Sequence, residues 1–336
     1  MRAVVYRENG PSSVLRLVER PMPEPEPGEV RVRVHVSGVN PTDWKARAGT
    51  PLSSPEQVPN QDGAGVIDSV GPGVEPDRVG ERVWLWEAAR QRTGGTAAEY
   101  LVVPSVHAVT LPDSAPFELG ASLGVPFLTA HRALTINEGG PRQLTPGTLD
   151  GRTVLVAGGA GAVGNASIQL ARWAGATVIA TVSSPEKAAL ATSAGAQYVI
   201  NYRVQDVAAE VRRIASGGVD TVVEVAAAAN APLDVAVLAR QGAVAIYAGT
   251  PGDIVATPVR ELMTLNARWQ YILVYTMTNA TKADGVAAIS AAVRAGAVRV
   301  GEDAGLPLSH FPLDQTAAAH DAVEHGAVGK VLIDVG

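Results

Sequence analysis

Val154-Leu155-Val156-Ala157-Gly158-Gly159-Ala160-Gly161-Ala162-Val163-Gly164 limits the fold more than any other stretch: an apolar, β-branched run breaks into glycine and resumes as an alanine-rich helical pattern. Gly159, Gly161 and Gly164 stand in the spacing G-x-G-x-x-G. In that spacing the first glycine turns the chain off a strand, the second lets backbone approach a pyrophosphate, and the third lets the helix pack close. A glycine triplet alone says little in a chain with 35 glycines, and a purely structural glycine turn is the competing reading. The flanks favour a dinucleotide. Asn165 to Ala174 has helical composition, with Ile168, Leu170 and Trp173 to face a sheet; Gly175 stands where a C-cap belongs, and Thr177 to Val182 reads as the next strand. Residues Gly159, Ala160, Gly161, Ala162, Val163 and Gly164 are therefore candidates to bind the cofactor.

An NAD site usually has Asp or Glu about 20 residues beyond the glycines, bonded to the ribose hydroxyls. Here the second strand ends in Ser183-Ser184-Pro185-Glu186-Lys187. Hydroxyls replace the acid, Pro185 suits the first position of a helix, and Lys187 follows one turn in. Free N–H groups, a positive dipole end and an ammonium together suit a 2′-phosphate, so NADPH is favoured over NADH. Ser184 as a plain helix cap, with Lys187 a solvated charge, is the alternative, and both roles can hold at once. Glu186 dissents.

The chain has 336 residues, enough for two domains, and a formal net charge of -6 with no basic run to neutralise phosphates, which argues against a nucleic-acid partner. It has no cysteine, which removes disulfides, thiol catalysis, iron-sulfur clusters and thiolate zinc sites together. Redox chemistry must come from a cofactor. Met1 to Tyr6 starts directly as a strand with no leader, and no uncharged run approaches membrane-spanning length, so the expectation is a cytoplasmic protein without a membrane partner.

Upstream of the glycines the pattern is that of short strands. Leu15 to Arg20 is one, Pro21 to Gly28 is an extended proline spacer, and from Glu29 the alternation is strict, with Val30, Val32, Val34 and Val36 on one face and Arg31, Arg33 and His35 on the other. His35 belongs with the solvated side. Asn40 can cap a helix that starts at Pro41, with Asp43 facing its positive end. Strands around Pro59 to Ile67, Val79 to Trp84 and Gly95 to Pro104 complete an all-β module before the helical pattern of Ala115 to Leu134. Downstream, strands and helices alternate through Tyr198 to Ile200, Val207 to Ala215, Val219 to Val225 and Ala243 to Tyr247, as a doubly wound parallel sheet requires. Gly249, just past the last of these strands, is a further cofactor-binding candidate. Gln270 to Tyr275 reads as a final edge strand, which the same strand of a second subunit would cover in a homodimer. A helix, Asp284 to Ala295, and a strand, Lys330 to Val335, close the chain, and that strand is expected to rejoin the amino-terminal module.

Taken in order, Gly38-Val39-Asn40-Pro41-Thr42-Asp43, Asp62-Gly63-Ala64-Gly65-Val66, Gly95-Thr96-Ala97-Ala98-Glu99-Tyr100, Leu128-Thr129-Ala130, the Gly158 to Gly164 loop, Gly195 to Tyr202 and Gly329-Lys330-Val331 resemble the zinc-free quinone oxidoreductase (ζ-crystallin-like) family of the medium-chain dehydrogenase/reductases, nearly end to end. The resemblance implies an α/β protein: a GroES-like β-domain over 1–124 and 276–336, and a Rossmann doubly wound parallel-sheet domain over 125–275, with NADPH in the cleft they form. It implies that Lys187 and Tyr202 face the 2′-phosphate and that Asn40 and Thr129 lie beside the nicotinamide. The zinc-dependent cousins hold their metal at positions that correspond to Asn40, Gln61 and Val125, none of them a good ligand. The remaining histidines lack ligand spacing, so no metal is expected.

Losing a metal restricts the chemistry. Reducing a simple ketone makes an alkoxide, whose conjugate acid is about as weak as water, near pKa ~16, so a Lewis acid or strong proton donor helps. Hydride addition to an enone or quinone gives a delocalised enolate or phenolate, nearer the phenolic ~10, which a few hydrogen-bond donors can stabilise. The expected activity is therefore hydride transfer from NADPH to a quinone or an α,β-unsaturated carbonyl. Asn40 is the polar candidate at the reacting centre. Lys45 is a second, standing where many relatives have tyrosine. Trp44 and Trp86 are candidates to line an apolar pocket, and Lys45 with Arg47 to form a basic mouth for a carrier-bound substrate. An enoyl reductase tailoring a polyketide or thioester, and a NADPH-binding structural or sensor protein with little turnover, are the alternatives.

Overall fold

The strict alternation after the proline spacer becomes the longest strand of the molecule. In the computed structural model, which describes residues 1–336, the chain divides into two compact units, Met1–Val125 with Pro307–Gly336, and Pro126–Leu306. In the first, β1 (Arg2–Val5) and β2 (Arg16–Glu19) pair antiparallel; β3 (Glu29–Val39) follows, then α1 (Pro41–Gly49), β4 (Asp62–Val70), β5 (Arg82–Leu85), β6 (Tyr100–Pro104) and β7 (Ala108–Thr110). The helix α2 (Phe117–Leu134) starts in this unit and ends in the next. Val30, Val32 and Val34 of β3 are at most 1% exposed, so the apolar face of the alternation lies in the core. The register slips between Val34 and Val36, opposite β4. His35 is half-buried rather than solvated, with its ring stacked on Phe117 at 4.5 Å.

The second unit holds the glycine loop. Its elements are β8 (Thr153–Ala157), α3 (Ala162–Trp173), β9 (Thr177–Val182), α4 (Pro185–Ser193), β10 (Tyr198–Asn201), α5 (Val207–Ile214), β11 (Val219–Glu224), α6 (Ala227–Val237), β12 (Leu238–Ile246), α7 (Val259–Leu265), β13 (Arg268–Tyr271) and α8 (Asn279–Arg294). The six strands form one parallel sheet in the order β10-β9-β8-β11-β12-β13. Chain order runs outward in opposite directions from β8 and β11, so these two flank the switch point, where open α/β sheets bind ligands beyond the strand ends. The chain then returns to the first unit with β14 (Leu308–Pro312), α9 (Thr316–Glu324) and β15 (Lys330–Asp334). β15 pairs with β3, which completes a sheet in the order β14-β15-β3-β4-β5-β7, with β6 also on β3.

Two expectations need correction. The segment 276–306 belongs to the second unit, not the first: the Gly285 position on α8 approaches Leu128 and His131, where an added Cβ would come within 3.0 Å and 3.3 Å. The last edge strand is β13, ending at Tyr271 rather than Tyr275, because its partner β12 stops at Ile246. One further bond, Ile272 N–H to the Ile246 carbonyl at 2.7 Å, ends the ladder, and Val274 to Thr276 turn into a 3-10 helix. The proline-rich loop 137–148 has a packing role: Leu144 is fully buried, and the Asn137 amide bridges Asp220 and Thr221 of β11. No helix is long and apolar enough to cross a membrane.

Candidate functional site: the glycine loop and a buried polar network

The four glycines between β8 and α3 divide the work differently from the expected sequence of roles. Gly158, one residue ahead of the motif, makes the turn off the strand at φ +68°, a conformation a side chain would strain. At Gly159 a Cβ would meet Ala180 at 2.8 Å, so this glycine seats the loop on β9. At Gly164 a Cβ would come 2.3 Å from the Gly158 carbonyl, which fixes how closely α3 follows the strand. Gly161 is different. It is exposed and caps α3, and its nearest neighbour would be 3.5 Å from an added Cβ, so its missing side chain opens space rather than relieving packing.

The Gly161 N–H is spent on the Gly158 carbonyl at 3.0 Å, and the Asn165 N–H on the Gly161 carbonyl at 2.8 Å. The N–H groups of Ala162, Val163 and Gly164 between them have no acceptor within the helix, and with the dipole they form a seat for phosphate. Ala160 is buried behind them. At the end of the neighbouring strand β9, Ser184 caps α4 by accepting from the Lys187 N–H at 3.3 Å, with Pro185 in the first helical position. Ser183 and Lys187 are half-buried beside this cap, and Tyr202, held by its N–H on the Val182 carbonyl at 3.1 Å, is 52% exposed just past β10. Glycine turn, open α3 terminus, hydroxyls, ammonium and phenol thus lie along the ends of three adjacent strands, β8, β9 and β10, and fit a phosphorylated dinucleotide. Arg203, exposed beside Tyr202, adds a cation that sequence reading passed over. Gly249 lies exposed in a loop after β12, near Asp253, and Thr129 is buried in α2 at 6%.

In the first unit the residues around Asn40 do not present themselves to solvent. The Asn40 amide donates to Asp62 Oδ2 at 2.7 Å and its Oδ1 accepts from Lys330 Nζ at 2.7 Å, and the residue is 2% exposed. Its backbone N–H goes to Asp43 Oδ2 at 2.7 Å. Asn40 and Asp43 form the capping box of α1, and the Asn40 side chain is also bonded into the core. Asp62 also accepts from the Val125 N–H at 2.9 and 3.0 Å, and the Lys330 ammonium lies 3.8 Å from it. Burial pushes both carboxyls up, Asp43 to about 7 with help from the Asp62 charge, and pushes Lys330 down against the pull of the two acids.

This geometry corrects the sequence reading at Arg47. Asn40 is bonded to Asp43, Asp62 and Lys330. Lys45 is exposed, its ammonium 5.8 Å over the Trp44 ring. Arg47 is no part of a surface mouth: it is fully buried and paired with Glu324 at 2.8 Å. Trp86 packs on His107 with ring centres 4.2 Å apart. One cavity, of about 260 Å³, is lined by Tyr6, Asp43, Leu52, Asn60, Gln61 and Gln91 among others, but by neither tryptophan. Asn60 and Gln91 hold positive φ, at 77° and 55°, and strained backbone of this kind gathers at binding sites. The Tyr6 phenol is pushed up to about 12, by burial and then by Asp43.

Asn40, Gln61 and Val125 stand at the three positions compared with a zinc site. Gln61 Oε1 is engaged by the Ala89 N–H at 3.1 Å, Asn40 is committed to Asp62 and Lys330, Val125 is apolar, and no three His, Cys, Asp or Glu side chains converge anywhere in the chain.

Comparison with known proteins agrees with both units. Residues 26–113 match the alcohol dehydrogenase GroES-like domain, and 162–291 match the zinc-binding dehydrogenase family model. The human quinone oxidoreductase is 32% identical over 99% of this chain and 97% of its own length. A solved NAD-dependent alcohol dehydrogenase is 31% identical with a TM-score of 0.85, each chain fully covered. A mycobacterial protein solved with NADPH is 29% identical with a TM-score of 0.81, again over the whole of both chains. On this full-length similarity and the α/β architecture of a GroES-like sheet and a Rossmann sheet, the chain belongs to the quinone oxidoreductase family of the medium-chain dehydrogenase/reductases.

Proposed function

We propose that this oxidoreductase transfers hydride from NADPH to a conjugated carbonyl acceptor, a quinone or an α,β-unsaturated carbonyl, without a metal. The observation that carries the reading is the open α3 terminus at Gly161, with Lys187 on the first turn of the next helix where an NAD site would place an acid. The solved NADPH-bound relative supports the choice of cofactor, and the NAD-dependent one makes it worth testing directly.

NADPH, when bound, supplies the hydride. The N–H groups of Ala162, Val163 and Gly164 hold its pyrophosphate, Lys187 and Tyr202 its 2′-phosphate, and Ser183, Gly249 and Thr129 complete the binding residues. On the acceptor side, Tyr6 and Asp43 line a cavity of the first unit. Asp43, raised to about 7, holds a proton through much of the neutral range, and Tyr6 is a hydroxyl donor at any working pH. Either can donate a hydrogen bond to a delocalised oxyanion. Our reading includes a homodimer in which the β13 edge pairs with a second copy; Tyr271 and Leu273 there are 62% and 55% exposed.

The test is oxidation of NADPH and of NADH by purified protein against a naphthoquinone, an alkyl enone and an enoyl thioester, with products identified and a chelator in parallel. NADPH-selective turnover of at least one, unchanged by chelation, is expected. Turnover of the thioester alone would move the reading to an enoyl reductase. Tight binding of NADPH with no turnover of any acceptor would favour the sensor reading, and a preference for NADH would sink the cofactor assignment.

A further inference from the structure

The carboxyl end of β11 carries a buried acid pair that the proposed chemistry does not use. Glu224 is the last residue of β11 and Asp234 lies on α6, each 1% exposed. Asn230 and Asp234 are four apart on α6 and so share the face turned to the strand end. Glu224 accepts from the Ala226 backbone N–H and from the Asn230 amide, the latter at 3.1 and 3.2 Å. Neither oxygen of Asp234 receives a bond from any N–H or hydroxyl, although its carboxyl meets that of Glu224. Two buried acids at contact distance cannot both ionise without a large cost. A proton held between them turns repulsion into a charge-assisted hydrogen bond.

Position gives the pair a consequence. β11 flanks the switch point beside β8, so the Val225–Ala226 turn that Glu224 holds forms the wall opposite the glycine loop. The two lie close: a Cβ on Gly158 would come 3.3 Å from Val225 Cγ1. We propose that Glu224 and Asp234 share one proton, and that the protonated pair positions the Val225–Ala226 turn for the dinucleotide, so that proton and cofactor bind cooperatively. The inference rests on the dinucleotide reading of the glycine loop and is independent of the acceptor.

The surroundings agree. Burial first, then the Glu224 charge, raises Asp234 to about 8, and burial raises Glu224 as well. Of the elements packed on α6, β12 leads into Tyr247, whose phenol is raised by burial and by Glu224, and carries Arg240, which is exposed. From α5, Arg212 goes to the Ala236 carbonyl, while Glu210 and Arg213 pair with each other at 2.8 Å. No cation reaches the pair to replace the proton.

The experiment measures the dissociation constants of both NADPH and NADH by quenching of tryptophan fluorescence, from below to above the Asp234 value of about 8, in the wild type and in Asp234→Asn. Asparagine donates to Glu224 at every pH. For the wild type, affinity for both dinucleotides should fall by ~5-fold or more as pH rises, and binding near the midpoint should take up a fraction of a proton, read by calorimetry in buffers of different ionisation enthalpy. Asp234→Asn should bind tightly across the range with no such uptake. A pH-independent wild type, or an Asp234→Asn profile parallel to it, overturns the proposal; should that variant not fold, wild-type proton uptake decides by itself. Absence of binding at every pH would instead mean that the dinucleotide reading is wrong, and the proposal falls with it.

Discussion

Lys330 shows how much one side chain decides. Its ammonium is fully buried, 2.7 Å from Asn40 Oδ1 and 3.8 Å from Asp62 Oδ2, so it neutralises acids that burial has already pushed up. Lys330→Met should cost about 3–5 kcal/mol, since it leaves buried acids without a cation, and Asp62→Asn in the same chain should recover part of this; urea unfolding of the single and double variants checks both. Proton linkage gives a second expectation. Asp43 and Asp234 have folded values raised to about 7 and about 8, so the folded state holds more protons than the unfolded chain above the ordinary carboxyl range, and the stability they contribute is lost as pH rises through those values. His131 and His320 act oppositely: burial lowers them to about 4 and about 3, so they favour the folded state above the ordinary histidine value near 6.5 and lose that contribution as pH falls below it. Between about pH 6.5 and 8 the two histidines no longer act, and the acids should make the melting temperature decline there. Asp43→Asn and Asp234→Asn should each flatten the decline; an unchanged slope in both would count against the buried acids as its source.

At the scale of elements, the β8–α3 turn separates two uses of glycine. Gly161→Ala meets nothing closer than 3.5 Å, so it should melt with the wild type yet bind dinucleotide ~10-fold or more weakly, because the methyl group fills the phosphate seat. Gly164→Ala drives a methyl to 2.3 Å from the Gly158 carbonyl and should lower the melting temperature itself. Equal melting temperatures for the two would mean that the loop geometry is wrong. Lys187→Ala on the first turn of α4 should weaken NADPH by ~10-fold and leave NADH unchanged, as removal of one phosphate contact would, and direct binding measurements distinguish this from a general loss. The motif spacing placed this loop correctly, but the division of labour within it was not legible: that Gly158 makes the turn depends on φ, which spacing does not report.

For the whole molecule, the order of the parallel strands places β13 at one edge of its sheet with no partner beyond it. Tyr271→Glu sets a charge on that edge and should yield monomers from a dimeric wild type, as sedimentation equilibrium would show; a monomeric wild type refutes the edge pairing. The return of the chain was only partly legible. Lys330 to Asp334 rejoins β3 as its apolar run suggested, but α8 stays with the second unit, because a helix's composition does not say which of two apolar surfaces it packs on.

Local order was the sequence's own to determine: alternation in β3, the glycine spacing, Pro185 after Ser184, and the repeated strand-helix rhythm all rest on interactions within a few residues. Tertiary structure alone decided what the polar residues do. The bonds of Asn40 were not legible because its partners are Asp62 and Lys330, the latter 290 residues away. Arg47 read as surface charge because Glu324, its partner, is 277 residues distant, and Glu224 read as one more strand residue because its neighbour Asp234 arrives only when α6 folds back. Burial and long-range pairing set the charge state of each of these groups, and neither is encoded by nearest neighbours in the chain.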